Sequence, residues 1–175
     1  MKNLILKWEL IGIIVIVLAG GALHFAFEWA GEWRPLAVIA AVNESTWEHL
    51  KLAFWPALIW FLIEIFFVRK TSNNFYFAKA IGILLMPVSI TVLFYAYTAF
   101  MDDMLAIDLT IFVVAVVIGQ VASYKILKAG PLPRWLNNLG IALLLLMTIA
   151  FSTLTYFAPG IEIYRDPVSG GYGIQ

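Results

Sequence analysis

The two histidines of the chain, His24 and His49, are the side chains best suited to metal chemistry. Carboxylates lie close to both: Glu28 follows His24 by four residues, Glu48 directly precedes His49, and Glu44 lies four residues before Glu48. Two neutral imidazoles with one or two carboxylates suit a borderline divalent cation such as zinc, and a further carboxylate can act as a general base. These residue types therefore predict a divalent-metal site if the histidines converge in the fold.

Each polar side chain of this region has an expected role. The expected metal ligands are His24, His49 and Glu48. The expected catalytic carboxylates are Glu44 and Glu48. The expected ligand-binding residues are Asn43, Ser45, Glu28 and Asp103. Because the His-Glu-x-x-His signature is absent, a structural alternative stays open, in which Glu48 caps a helix, the other carboxylates face water and the histidines hydrogen-bond between helices.

The composition places these residues in a membrane protein. Of the 175 residues, 63% are hydrophobic and only 13% are charged, which lies outside the usual range of soluble domains. The net charge is zero, so nothing indicates a nucleic-acid partner. Cysteine is absent, which excludes disulfides, thiolate metal ligands and a cysteine nucleophile. The expected surroundings of the chain are therefore the lipid bilayer.

Five apolar runs are long enough to cross a hydrocarbon layer of roughly 30 Å, which takes about 20 helical residues. We expect an all-α integral membrane bundle that forms a single transmembrane domain over residues 1–175. The predicted spans are 9–29, 47–68, 78–100, 108–127 and 139–158, and residues 159–175 form a tail.

The joint between the first two spans contains a break. A continuous helix over residues 35–70 would be about 54 Å long, which is far more than one crossing. Ser45 followed three residues later by Glu48 forms a capping box, so the second span is expected to start after Ser45. Residues 35–42 then form a short interfacial or re-entrant helix.

Two further expectations concern the interior of the bundle. Gly20 and Gly21 lie one turn before His24 and should let a neighbouring helix approach closely. Glu64 lies inside the second span, where it is either a buried functional carboxylate or one that reaches toward the interface. We favour a structural role, with a hydrogen bond to Gln120 or Tyr124 of the fourth span.

The positive charges predict an orientation. If five spans alternate, eight of the eleven basic residues fall on one side. These eight are Lys2, Lys7, Arg69, Lys70, Lys79, Lys125, Lys128 and Arg134. By the positive-inside rule the N-terminus is cytoplasmic and the tail is extracytoplasmic in a cell-membrane protein. The histidines and most of the carboxylates named above then face outward.

Two motifs carry a resemblance to a known family. The segment VNESTWEHLK at residues 42–51 and the tail DPVSGGYGI at residues 166–174 resemble an uncharacterised family of small polytopic membrane proteins from bacteria and archaea, catalogued as a domain of unknown function. The resemblance implies the fold and a shared outer site, but it implies no activity. The chain also has a looser similarity to membrane hydrolases of the alkaline ceramidase type. The shared feature is a set of carboxylates and histidines in a small helical bundle.

Three functions are compatible with these residues. The first is metal-dependent hydrolysis of a lipid or lipid-linked substrate that enters from the bilayer. The second is a ligand-binding or transport component that captures a ligand through the turn at residues 43–49. The third is a structural subunit that presents its polar cluster to a partner chain. The oligomeric state stays open.

Overall fold

The computed structural model describes residues 2–174, with side chains from residue 3 onward. Five long helices dominate this part of the chain. They are α1 (Lys2–Trp29), α2 (Thr46–Phe67), α3 (Phe75–Thr98), α4 (Leu105–Lys128) and α5 (Arg134–Thr153). Three short 3₁₀ segments accompany them, at Arg34–Val38, Arg69–Thr71 and Glu162–Tyr164. The described residues contain no β-strand, only one isolated bridge between Arg165 and Tyr172.

All five helices are long and apolar enough to cross a membrane. Their lengths run from 20 to 28 residues, and the mean hydropathy of their most apolar stretches runs from 1.7 to 2.5. Large apolar side chains face outward, among them Leu18, Phe66 and Leu146, which are 68%, 82% and 63% exposed. The predicted all-α membrane bundle is therefore confirmed, and the protein is a multi-pass membrane protein.

Each predicted span overlaps one of these helices, but the helix ends differ. The α1 helix begins at Lys2 and α5 begins at Arg134, several residues before the apolar runs do. At its other end α5 stops at Thr153. Beyond this point the backbone oxygen of Thr155 accepts a hydrogen bond from the N–H of Ile174 in the tail. Hydropathy marks the lipid-facing length of a helix, whereas hydrogen bonding extends into polar terminal turns.

Helix α3 packs against α2, α4 and α5, while α1 packs against α2 and α4. Glycines allow several of these approaches. A Cβ atom on Gly82 of α3 would lie 2.8 Å from the backbone oxygen of Gly119 on α4. A Cβ atom on Gly20 would lie 2.5 Å from the backbone oxygen of Leu52 on α2, whereas one on Gly21 would meet open space. The close approach expected at both Gly20 and Gly21 therefore occurs at Gly20 alone.

Successive helices alternate in direction. We call the end of the bundle that contains His24 and His49 the histidine end, and the end that contains residues 69–74 and 129–134 the opposite end. At the histidine end, the hydroxyl of Tyr97 near the end of α3 lies 2.7 Å from a carboxylate oxygen of Asp108 in the first turn of α4. At the opposite end, Asn74 before α3 donates to the backbone oxygen of Ile126 in α4.

The linker between α1 and α2 contains the expected short helix, but it is a five-residue 3₁₀ segment, Arg34–Val38. Ala37 and Ala40 of the linker are fully buried. Ser45 caps α2 as predicted, because its hydroxyl accepts the backbone N–H of Glu48 at 3.4 Å. The reciprocal half of the capping box does not form, since the Glu48 carboxylate accepts the N–H of Val42 instead.

Two of the basic residues lie inside the bundle and are buried. Lys51 lies in α2 and is fully buried, and Lys79 lies in α3 and is 2% exposed. Lys79 forms an ion pair with Glu64 at 2.6 Å. The prediction that Gln120 or Tyr124 is the partner of Glu64 was therefore wrong. Lys79 of the adjacent helix forms an ion pair with this carboxylate instead.

Candidate functional site

His24, Glu44 and His49 come together at the histidine end, and we call them the histidine cluster. His24 lies in the last two turns of α1, Glu44 lies in the linker and His49 lies in the first turn of α2. Nε2 of His24 lies 3.9 Å from Oε1 of Glu44, and Nε2 of His49 lies 3.4 Å from Oε2 of the same carboxylate. One ligand atom from each residue lies within 4.8 Å of the other two. The cluster can therefore hold a metal ion.

His49 is oriented by the cap of its own helix. Its Nδ1 lies 3.0 Å from the backbone oxygen of Ser45. A carbonyl oxygen only accepts, so Nδ1 carries the proton and donates it. The other nitrogen, Nε2, faces Glu44. It donates to that carboxylate when the ring is protonated, and it offers a lone pair to a metal when the ring is neutral. A metal-ligating histidine is typically held through its second nitrogen in this way.

His24 is held mainly by packing. Its ring lies 5.3 Å from the ring of His49 and contacts the ring of Phe25 edge-on at 4.8 Å. Its Nδ1 is buried and has no hydrogen-bond partner among the described residues. His24 is consequently less firmly oriented than His49, and its Nε2 is the nitrogen directed at Glu44.

Glu44 is ionised at neutral pH. A hydrogen bond from His49 holds the pKa of Glu44 below its ordinary value, and this effect exceeds the opposing effect of partial burial. The side chain is 51% exposed, compared with 28% for His24 and 37% for His49. The cluster is thus open to solvent and presents a carboxylate in the form that binds metals.

The separations are somewhat longer than those of a tetrahedral metal site. Metal–ligand bonds of about 2.0–2.1 Å place tetrahedral ligand atoms roughly 3.3–3.4 Å apart. The 3.4 Å to His49 and the 3.9 Å to His24 are measured to different oxygens of Glu44. With one ligand atom from each residue the three atoms lie within 4.8 Å of one another, so metal binding requires the side chains to move closer together. Three protein ligands would leave a fourth position for water, which is the arrangement of catalytic rather than structural zinc.

Glu48, expected as a metal ligand and as a catalytic carboxylate, lies in a different network. Its carboxylate is 1% exposed and lies 2.5 Å from Nζ of Lys51. It also accepts hydrogen bonds from Thr155 at 2.8 Å and from the backbone of Val42 at 3.1 Å. Consecutive helical residues point roughly 100° apart, so α2 directs His49 to Glu44 and turns Glu48 into the protein. Glu44 therefore takes the place beside the histidines that was expected of Glu48.

We call Glu48, Lys51 and Thr155 the Lys51 network. Nζ of Lys51 donates to Thr155 at 2.9 Å and to the backbone oxygen of Ala37 at 2.7 Å. The network joins α2 to the linker and to the segment after α5. The i,i+3 spacing of Glu48 and Lys51 is a local signal of an ion pair, whereas Thr155 is 104 residues from Lys51 and has no such signal.

The two sequence motifs form one unit in the structure. The side-chain amide of Asn43 donates to the backbone oxygen of Gly173 at 2.9 Å. The ring of Trp47 packs on Phe151 at 4.6 Å and on Tyr164 at 4.8 Å. The tail is thereby docked against the linker and the first turn of α2.

A cavity of about 540 Å³ lies beside this unit. Two of the expected ligand-binding residues line it, namely Glu28 and Asn43. Arg34 and Asp166 add charges of both signs to the lining. Ser45, another expected ligand-binding residue, is buried and serves as the cap of α2.

Asp103, the last expected ligand-binding residue, belongs to a separate acidic pair. The hydroxyl of Tyr97 lies 2.7 Å from a carboxylate oxygen of Asp103 and of Asp108. The hydrogen bond from Tyr97 is the main reason that the pKa of Asp103 is lowered. Asp103 lies at the histidine end but is not a member of the histidine cluster.

The fold and the site define a multi-pass helical membrane protein with a cluster of two histidines and a glutamate at one end. The chain belongs to a family of unknown function, DUF6512, whose match covers residues 1–174. This agrees with the predicted membership of an uncharacterised family. Comparison with curated proteins and with solved structures found no match.

Proposed function

We propose that the protein binds a divalent metal ion through His24, Glu44 and His49 and hydrolyses a lipid or lipid-linked substrate at the membrane boundary. The convergence of the three side chains from two helices and a linker supports this proposal. A bound divalent metal would supply Lewis acidity and lower the pKa of a water molecule at its open position. The cluster lies at the ends of membrane-crossing helices, where a substrate can enter from the bilayer.

Within this proposal the chain's own residues have distinct tasks. Glu44 serves as the third ligand, since it is ionised and faces both imidazoles. Glu28 and Asn43 contact the substrate, because both line the cavity at the same end of the bundle. The three cluster residues do not line this cavity, and Asn43 connects the two regions as the direct neighbour of Glu44. Glu48 stabilises the site from inside, because its ion pair with Lys51 holds the first turn of α2 in place.

The cavity favours a second function, namely a ligand-binding or transport component. Its volume lies within the usual range for small-molecule sites of about 300–1,000 Å³, and its lining offers charges of both signs. Such a lining suits a small polar or zwitterionic ligand. In this case the histidine cluster would bind ligand or metal without hydrolysis.

For the orientation we propose that the histidine end faces outward from a cell membrane. Most basic residues lie near the opposite end, and the positive-inside rule then makes the N-terminus cytoplasmic.

Metal content tests the first proposal directly. Detergent-purified protein is loaded with zinc, dialysed against a weak chelator and analysed by mass spectrometry. We expect near-stoichiometric zinc in the wild type and its loss in His24→Ala, His49→Ala and Glu44→Gln. Glu28→Gln is the matched control, because it removes a carboxylate of the same end that is not a ligand. A zinc-free wild type would contradict metal binding, and equal retention in all variants would contradict binding by these three residues.

A hydrolysis assay separates the two functions. Zinc-loaded protein is incubated with mixed phospholipid and sphingolipid vesicles, and released products are measured with and without chelator. Chelator-sensitive release that is lost in Glu44→Gln supports a hydrolase. Stoichiometric zinc without any product favours the ligand-binding function instead.

A further inference from the structure

A second group of charged side chains lies inside the bundle, far along α2 from the histidine cluster. Glu9 of α1, Glu64 of α2 and Lys79 of α3 meet there, and we call them the Lys79 cluster. None of the three side chains is more than 3% exposed. The proposed function uses none of these residues.

The geometry places one ammonium between two carboxylates. Nζ of Lys79 lies 2.6 Å from Oε1 of Glu9 and 2.6 Å from Oε2 of Glu64. From α4, the hydroxyl of Ser123 donates to Oε1 of Glu9 at 2.9 Å, and the amide of Gln120 donates to the backbone oxygen of Glu9 at 3.3 Å. The cluster therefore connects four of the five helices.

The charges of this cluster do not balance. Two carboxylates and one ammonium sum to a charge of −1 when all are ionised. Of the side chains described from residue 3 onward, no other charged group forms an ion pair with these three. The two residues that α4 contributes, Gln120 and Ser123, are neutral. An uncompensated charge in a buried, low-dielectric environment is costly, and buried carboxyl groups commonly take up a proton instead.

The second oxygen of each carboxylate is available to bind a proton. Oε2 of Glu9 and Oε1 of Glu64 are both buried and have no hydrogen-bond partner among the described residues. Buried polar atoms without partners are rare in folded proteins. Here both unpartnered atoms are carboxylate oxygens, which can each bind a proton, and binding one proton also balances the charge of the cluster.

We propose that the Glu9, Glu64 and Lys79 side chains form a proton-binding site within the membrane-spanning part of the protein. One proton is bound by either glutamate, which changes the cluster from a charge of −1 to zero. The other glutamate then forms a neutral ion pair with Lys79. Carboxyl groups that load and release a proton within membrane helices mark proton pathways, so this site provides a step for proton movement or proton-coupled transport.

Infrared spectroscopy of the full-length protein in lipid nanodiscs tests the site. In sodium- and potassium-free buffer at neutral pH, we expect the carbonyl stretch of a protonated carboxylic acid, with a shift in heavy water. The band should disappear in both Glu9→Gln and Glu64→Gln, because the remaining carboxylate then pairs with Lys79 one to one. It should persist in Glu32→Gln, whose carboxylate is exposed on the linker.

Absence of the band from the wild type at neutral pH would overturn the proposal. Persistence of the band in both Glu9→Gln and Glu64→Gln would overturn it as well. A band that vanishes on adding sodium or potassium chloride would assign the site to a monovalent cation. If gel filtration shows that the glutamine variants do not fold, Glu9→Asp and Glu64→Asp decide the matter. Shortening the glutamate that holds the proton should shift the band, and a band unshifted in both variants would refute the proposal. None of these results depends on metal binding by the histidine cluster.

Discussion

The carboxylate of Glu48 and the ammonium of Lys51 form an ion pair at the histidine end with almost no access to water. Thr155 donates to the carboxylate and accepts from the ammonium, so each charge has additional partners. A buried pair of this kind stabilises a protein only while both members are present, because removal of one leaves an unpaired buried charge.

Substitution of one partner should therefore destabilise the protein strongly. We expect Glu48→Gln or Lys51→Met alone to lower the free energy of unfolding by about 3–5 kcal/mol. The double variant should lose clearly less than the sum, because no charge is left unpaired. Thermal unfolding in detergent, analysed as a double-mutant cycle, measures the difference. Additive losses would show that the two charges do not act as a pair.

Asp166 makes the turn at the start of the tail motif dependent on pH. Burial raises its pKa, but hydrogen bonds from Ser169 and from the backbone of Val168 and Ser169 outweigh this, so the pKa is lowered. A carboxylate with a lowered folded pKa stabilises the fold fully above its unfolded pKa, and the contribution is lost as the pH falls through the folded value. The turn at residues 166–169 should consequently weaken only in acid, below the ordinary aspartate pKa of about 3.9.

Hydrogen exchange of the tail amides checks this expectation. At neutral pH the amides of Val168 and Ser169 should exchange more slowly in the wild type than in Asp166→Asn. The difference should vanish at acidic pH, where the wild-type carboxyl group is also protonated. Comparison of the two proteins at each pH removes the intrinsic pH dependence of exchange. Equal exchange at neutral pH would rule out the role of the carboxylate.

The packing of α1 on α2 depends on one glycine of an adjacent pair. Gly20 faces the backbone oxygen of Leu52 at a distance that leaves no room for a Cβ atom, while Gly21 faces open space. We expect Gly20→Ala to destabilise the protein by about 1–3 kcal/mol through overpacking. Gly21→Ala should be neutral or stabilise by up to about 1 kcal/mol, because alanine favours the helix.

The same pair of variants also probes the site, because Gly20 lies one helical turn before His24. Displacement of α1 by Gly20→Ala should lower the zinc content of loaded protein, whereas Gly21→Ala should keep it. Unfolding measurements and metal content on the two variants check both expectations. Similar behaviour of the two variants would exclude close packing at Gly20 as the cause.

The orientation of the whole molecule can be tested because the chain has no cysteine. A single Val168→Cys places a thiol on the tail, where Val168 is 80% exposed. Gly130→Cys places one in the exposed loop before α5 at the opposite end. With a membrane-impermeant maleimide we expect Val168→Cys to react in intact cells and Gly130→Cys to react only after lysis. The reverse pattern would place the histidine end inside the cell.

The amino-acid sequence alone determined those features that depend on local properties. Helix length and hydropathy are local, and they identified all five membrane-crossing helices. The cap at Ser45 is also local, because it depends on residues three apart. His24 and His49 could be expected in one layer, because a short linker joins the end of α1 to the start of α2.

Only the tertiary structure decided which side chains meet. The rotation of α2 about its axis directs His49 to Glu44 and Glu48 to Lys51, and hydropathy does not determine this rotation because α2 is apolar on nearly all faces. Lys79 pairs with Glu9 and Glu64 because three separate helices bring them together, and residues 70 positions apart carry no spacing signal. Thr155 joins the Lys51 network for the same reason. A buried charge takes the partner that the packing of helices provides, since no water is there to replace it.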